Sequence, residues 1–179
     1  LSYQTLEVDC WPVGHPKQCD SNADSYDAAT LDTIMRSLRH AHVTISTPAY
    51  YENMLDNGMQ ARTQNLRHLR NVIRLAHKLD VPYVATYLGK NTMVSLTDNF
   101  LLAADIFKPI VDYAAALGVT ILIENCPMPT WDPEGYPAPI TSSPELLSQL
   151  FTPLDSPFLG LNFDPSHLYW PGRTGVGEG

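Results

Sequence analysis

Five short apolar runs recur along the chain: Thr5–Cys10, His42–Thr47, Val81–Leu88, Val119–Glu124 and Phe158–Asp164. Each is rich in β-branched or aromatic residues, and most end at Pro, Gly or Asn, as strands do. Several are apolar at consecutive positions, which is the pattern of parallel strands covered on both faces. Pro48 is expected to stop the second run.

Between the runs, apolar residues recur at helical spacing. Leu31, Ile34, Met35 and Leu38 form one face. Leu66, Leu69, Val72, Ile73 and Ala76 form a second, with Arg67, Arg70, Arg74 and Lys78 as its polar partners. Phe100, Ala103, Ala104, Phe107, Ile110, Val111 and Ala114 form a third. Gly118 then sits where a left-handed C-cap is expected. Pro109 inside this third pattern is expected to kink it or divide it in two. Ser143-Pro144-Glu145 reads as the capped start of a short fourth helix.

The strands begin near residues 4, 42, 82, 119 and 158, an even spacing of about 39 residues. An even strand–helix repeat gives an α/β fold, either an open doubly wound sheet or an eight-stranded barrel. No Gly-rich phosphate loop follows the first strand, which weakens the nucleotide-binding open sheet. Five units do not close a barrel of eight. The expectation is a single domain over residues 1–179 that, if it is a barrel, is incomplete, with the Gly-rich tail from Pro171 consistent with a break in a loop; the family resemblance given below implies that the barrel is truncated at both ends.

The net charge is -8, from 11 Lys plus Arg against 19 Asp plus Glu. That balance speaks against non-specific nucleic-acid binding. No run approaches the length of a membrane span. Cys10, Cys19 and Cys126 cannot all pair within one chain, and they read as reduced thiols in a reducing, cytoplasmic setting.

Barrel enzymes place their chemistry at the C-terminal ends of strands. Glu124 follows a run that should be core, where a carboxylate is costly unless it meets a metal, a positive charge or donors. Asp164 has the same setting, with helix N-capping as its structural alternative. His167 lies three residues on and can share a cavity with Asp164. Adjacent strands lie about 4.8 Å apart, so Glu124 and Asp164 could share one divalent ion. Glu7 could be a polar layer residue, contact substrate or pair with a lysine. Trp11, Tyr50, Tyr51, Tyr87, Tyr169 and Trp170 could wall a polyol, or equally pack as core. Lys90 and Arg173 are candidates for an anionic group, with surface placement the simpler reading. His15, His40, His42, His68 and His77 show no partner pattern, and His68 and His77 are expected to be solvent-facing or half-buried on a helix.

Ile123-Glu124-Asn125-Cys126-Pro127-Met128 and Leu161-Asn162-Phe163-Asp164-Pro165-Ser166-His167-Leu168-Tyr169-Trp170 resemble the sugar phosphate isomerase/epimerase group of the xylose isomerase-like superfamily. The segment from Ile45 to Leu55 is similar to the third strand and loop of that group. The resemblance implies a (β/α)8 TIM barrel of which strands two to six are visible. It implies one divalent ion at the C-terminal face (Mn, Mg, Co or Zn), with Glu124 and Asp164 as ligands and two further ligands, a His and a Glu, beyond Gly179. It implies a small polyol or sugar substrate, isomerised or epimerised through an enediolate. Glu124 and His167 would be catalytic, with His167, Glu7, Trp11, Tyr50, Thr86, Asn125 and Trp170 around the substrate. No nucleic acid or membrane partner is expected, and a homo-oligomer is left open. The competing readings are a metal-dependent hydrolase or abasic-site endonuclease on the same barrel, and a barrel retained for binding.

Overall fold

The computed structural model describes residues 3–12, 14, 23, 24, 26–126, 140, 141 and 143–169. Strands and helices alternate: β1 (Thr5–Asp9), α1 (Ala28–His40), β2 (Thr44–Tyr50), α2 (Met59–Lys78), β3 (Tyr83–Thr86), α3 (Leu96–Ala116), β4 (Thr120–Glu124), α4 (Pro144–Leu154), β5 (Leu159–Asn162) and α5 (Pro165–Tyr169). The strands form one sheet in the order β1-β2-β3-β4-β5. Every neighbouring pair is parallel. This is the strand–helix repeat expected from the sequence, laid out as part of a barrel.

Each strand divides its residues between two faces. On β4, Ile121 and Ile123 are fully buried in the apolar core that the helices cover. Leu122 and Glu124 take the opposite face. The core is completed by Leu69, Val72, Ile73 and Ala76 of α2 and by Phe107, Ile110, Val111 and Ala114 of α3. The predicted α1 face is there too, but no α1 residue is fully buried, and Leu31 and Met35 only border the core.

Pro48 does not stop its strand and Pro109 does not divide its helix, each for an identifiable reason. β2 runs through Pro48 to Tyr50. Its ladder to β3 contains only Ala49 and Tyr50, so the proline precedes the pairing on that side. α3 runs unbroken through Pro109. Proline removes one backbone bond, to the carbonyl of Asp105, but Phe107, Ile110 and Val111 anchor the helix on both sides of it. Asp105 is exposed, so its carbonyl can turn to water.

The caps follow the sequence more closely. Ser95 accepts from the Asp98 amide and Ser143 from the Leu146 amide. Gly118 has a φ of 69° at the end of α3. None of the described helices is long and apolar enough to cross a membrane.

The loops leaving the C-terminal ends of β2 and β3 are joined by asparagine side chains. Asn53 Oδ1 accepts from the amides of Leu55 and Lys90 at 3.0 and 3.2 Å, and its Nδ2 donates to the Lys90 carbonyl at 2.9 Å. Asn57 makes a similar pair with Thr92. Gly89, at φ 81°, lets the second loop come this close, because a Cβ there would lie 1.9 Å from Asn53 Oδ1. Gly89→Ala should therefore cost at least about 1 kcal/mol from backbone strain alone, seen as a lower midpoint in urea denaturation with an unchanged slope.

Candidate functional site

The site is built from the ends of β1, β4 and β5. Glu124, the last residue of β4, pairs in register with Asn162, the last residue of β5. Asn162 Nδ2 lies 3.2 Å from Glu124 Oε2, 3.1 Å from the Tyr51 hydroxyl and 3.5 Å from Glu7 Oε2. The Tyr51 hydroxyl donates to Glu7 Oε1 at 2.5 Å. One amide thus ties two carboxylates, from β1 and β4, into a single network across the inner face of the sheet.

The other oxygen of Glu124 faces His167, with Oε1 3.1 Å from Nε2. The same nitrogen lies 3.3 Å from Asp164 Oδ2. Two carboxylates from adjacent strands therefore converge on one imidazole nitrogen. Asp164 Oδ1 accepts from the Ser166 amide at 2.8 Å, which also caps the short turn that presents His167. The Ser166 contact holds the Asp164 carboxyl below its ordinary range, so it is ionised at neutral pH. N-capping and site-facing roles, alternatives in the sequence, coexist on the two oxygens of one residue.

Asn125 acts one level back. It is buried, and its amide is occupied by the backbone of Asp164: Nδ2 donates to the carbonyl at 2.9 Å and Oδ1 accepts from the amide at 2.8 Å. It extends the β4–β5 pairing past the strand ends and fixes where Asp164 starts its turn.

Glu124 is 8% exposed. Among the described residues, neither it nor Glu7 is ion-paired with a Lys or Arg. Burial, opposed by the Tyr51 hydrogen bond, raises the Glu7 carboxyl above its ordinary value, and the charge of Glu124 adds to this. Burial and Glu7 push the Tyr51 phenol far above its usual range, so Tyr51 serves as a neutral donor. Its ring lies against Tyr87, centroids 4.5 Å apart. Tyr87 also contacts the Cys126 thiol. Ligand atoms of Glu124, Cys126 and His167 all lie within 4.8 Å of one another.

Other residues singled out in the sequence are placed elsewhere. Tyr50 packs edge-on against Trp11, centroids 5.5 Å apart, and against His68 of α2, 4.5 Å apart. These rings belong to the layer between sheet and helix. His68 is half-buried, with Nε2 2.9 Å from the Cys10 carbonyl, and burial lowers its proton affinity. His77 is exposed, beside the Leu117 carbonyl. Thr86 is fully buried and donates to the Tyr50 carbonyl at 2.8 Å. The backbone of Lys90 is tied to Asn53. Trp170, Arg173, Cys19 and His15 lie outside the described residues, as does the side chain of Tyr169. Sequence reasoning gave Asn162 and Cys126 no role, although both sit in quoted motifs. The usable signal was register, which sets Asn162 opposite Glu124.

Two predictions follow from this geometry. Asn125→Ala should leave Glu124 in place but free the Asp164 backbone, seen as faster native-state hydrogen exchange of the Asp164 amide. The raised Glu7 carboxyl sets a pH dependence. Its proton is held more tightly in the folded state, so its contribution favours folding at low pH and is lost as pH rises through the raised value. Glu7→Gln, melted in chelator, should thus be more stable than wild type at pH 7, with the gain vanishing below about pH 4.

Residues 1–176 match the model of the xylose isomerase-like TIM barrel family. No curated protein matches the chain. Solved structures share the fold at low identity. A D-tagatose 3-epimerase-like protein aligns at TM-score 0.65 and 20% identity, over 92% of this chain and 57% of that one. The IOLI protein with a binding zinc atom aligns at 0.69 and 14%, over 93% and 55%. A xylose isomerase-like TIM barrel protein from Mycobacterium smegmatis in complex with magnesium aligns at 0.58 and 15%, over 80% and 48%. The chain thus spans about half the length of these structures. With sequence motifs, a parallel strand–helix sheet and a family match over nearly all its length, the chain belongs to the xylose isomerase-like TIM barrel family.

Proposed function

We propose that this protein is a divalent-metal-dependent isomerase or epimerase acting on a sugar, sugar phosphate or inositol-type polyol. The observation that supports this is the convergence of Glu124 and Asp164 on His167 Nε2 at the C-terminal end of the parallel sheet. The donor set fits a divalent ion. It combines two carboxylates and an imidazole, and among the described residues no Lys or Arg neutralises either carboxylate. Glu124 and Asp164 would hold the ion, with His167 beside them.

When bound, a divalent ion supplies positive charge to adjacent oxygens of an open-chain sugar and so acidifies the hydrogen on the carbon beside them. Glu124 is the base for that proton. Its near-complete burial keeps competing water away and leaves few groups to share its charge. Loss of the proton gives an enediolate of the sugar, and return of a proton to the other face or the neighbouring carbon completes epimerisation or isomerisation. His167 can donate to an oxygen that gains charge. Tyr51 stays protonated and holds Glu7, whose raised proton affinity suits a group that keeps or passes a proton near the substrate. Tyr87, tilted against Tyr51, offers an aromatic face to the C–H side of a sugar.

The alternative, a hydrolase or abasic-site endonuclease, calls for several histidines around two or three ions. The described donor cluster contains one. The epimerase-like and zinc-containing structures named above support the first reading.

Glu124→Gln keeps the shape of the side chain and removes its charge. On the full-length protein it should weaken Mn2+ binding at least tenfold, about the lower end of what losing support to a ligand costs, and slow turnover by roughly 10²–10⁴-fold. Calorimetry reads the first. Deuterium incorporation from solvent into a panel of ketoses and inositol-type polyols, followed by NMR, reads the second. Unchanged metal affinity would remove Glu124 from the ligand set.

A further inference from the structure

Cys126 is not placed as a core thiol is. The other described cysteine, Cys10, belongs to the apolar cluster between sheet and helices and donates to the Val8 carbonyl at 3.3 Å. Cys126 is equally buried, 7% exposed, and forms no disulfide, yet it stands outside that apolar cluster. Its surroundings are polar: the thiol is hydrogen-bonded with the Tyr87 side chain and lies close to Glu124 and His167. It lies two residues past Glu124, on the same side of an extended segment.

The thiol sulfur, a carboxylate oxygen of Glu124 and a ring nitrogen of His167 all fall within 4.8 Å of one another. Ligands about 2.0–2.3 Å from a common ion lie at most about twice that distance apart. The three atoms are therefore already near the separations that one ion demands. Carboxylate, imidazole and thiol form a mixed donor set. Oxygen-only sites suit magnesium, whereas a sulfur donor shifts preference to zinc and cobalt.

We propose that Cys126 is a sulfur ligand of the metal centre, and that the site therefore takes zinc or cobalt in preference to magnesium. This rests on the reading of Glu124, Asp164 and His167 as a metal centre. Binding replaces the S–H bond by a metal–sulfur bond and releases one proton to solvent, with no change of oxidation state.

The experiment is a Co2+ titration of the full-length protein, followed by absorption spectroscopy, in wild type and in Cys126→Ser. Cobalt bound through sulfur gives a near-ultraviolet charge-transfer band that oxygen and nitrogen ligands do not give, while any bound cobalt gives visible d–d bands. The expected result is both sets in wild type and only the visible bands in Cys126→Ser. Zinc affinity of the variant should fall at least about tenfold, with magnesium affinity unchanged. Visible bands in wild type without the charge-transfer band would overturn the sulfur ligand and leave the metal centre standing. Absence of all cobalt bands would overturn both. The wild-type spectrum decides the matter even if Cys126→Ser fails to fold, so the test does not depend on the variant.

Discussion

Everything at this site depends on one costly placement, a carboxylate set at the end of an interior strand. Glu124 is 8% exposed, and among the described residues no Lys or Arg is paired with it. A buried carboxylate in that position is tolerable only if its oxygens are hydrogen-bonded or meet a cation. Asn162 and His167 supply the hydrogen bonds, one to each oxygen. Both partners come from the β5–α5 segment. Parallel register across β4 and β5 is thus what makes Glu124 affordable, because it puts Asn162 opposite and starts the turn that delivers His167. A slip of one residue would send Glu124 to the helix face and an isoleucine to the inner face.

The second constraint is how irregular loops are held to the accuracy that a site needs. The β4–β5 ladder ends at Glu124 and Asn162, so something else must hold the chain beyond it. Asparagine does so three times. Asn125 bonds both backbone polar groups of Asp164, Asn53 does the same for Lys90, and Asn99 for Asn91. A carboxamide carries one acceptor and one donor group in the spacing of a peptide unit, so it can stand in for a missing strand residue. Glycine at position 89 gives the space for one of these joins. The loops at the mouth are therefore fixed by buried hydrogen bonds, which suits pre-positioned chemistry better than apolar packing would.

Much of the fold was legible because it rests on local patterns. The consecutive apolar positions of Val119–Ile123, the helical spacing of Leu69, Val72, Ile73 and Ala76, and the caps at Ser143 and Gly118 each encode an element directly. Pro48 does not end its strand and Pro109 does not divide its helix, because the effect of a proline depends on tertiary setting, an incomplete ladder in one case and flanking core anchors in the other. The Glu124–Asp164–His167 group was legible because charged residues interrupt apolar strands at their ends. The roles of Asn125 and Thr86 were not, because a polar side chain at a strand end reads the same whether it faces a cavity or a neighbouring backbone. Only the hydrogen-bond partners separate those cases.

Tyr50 and Tyr51 show where that limit comes from. They are adjacent and identical in type, so composition and spacing cannot rank them. A strand, however, sends consecutive side chains to opposite faces. Tyr50 goes to the helix layer, where Trp11 and His68 enclose its ring and Asn65 receives its hydroxyl. Tyr51 goes to the inner face, where its hydroxyl meets Glu7 and Asn162. The same phenol is structural in one place and part of a proton-holding network in the other. The difference lies in parity relative to the β1–β2 register, in which Glu7 pairs with Thr47 after a register shift at Leu6/Glu7. The extra residue in β2, Ser46, thus sets which tyrosine comes to Glu7, and through Asn162 the network reaches Glu124.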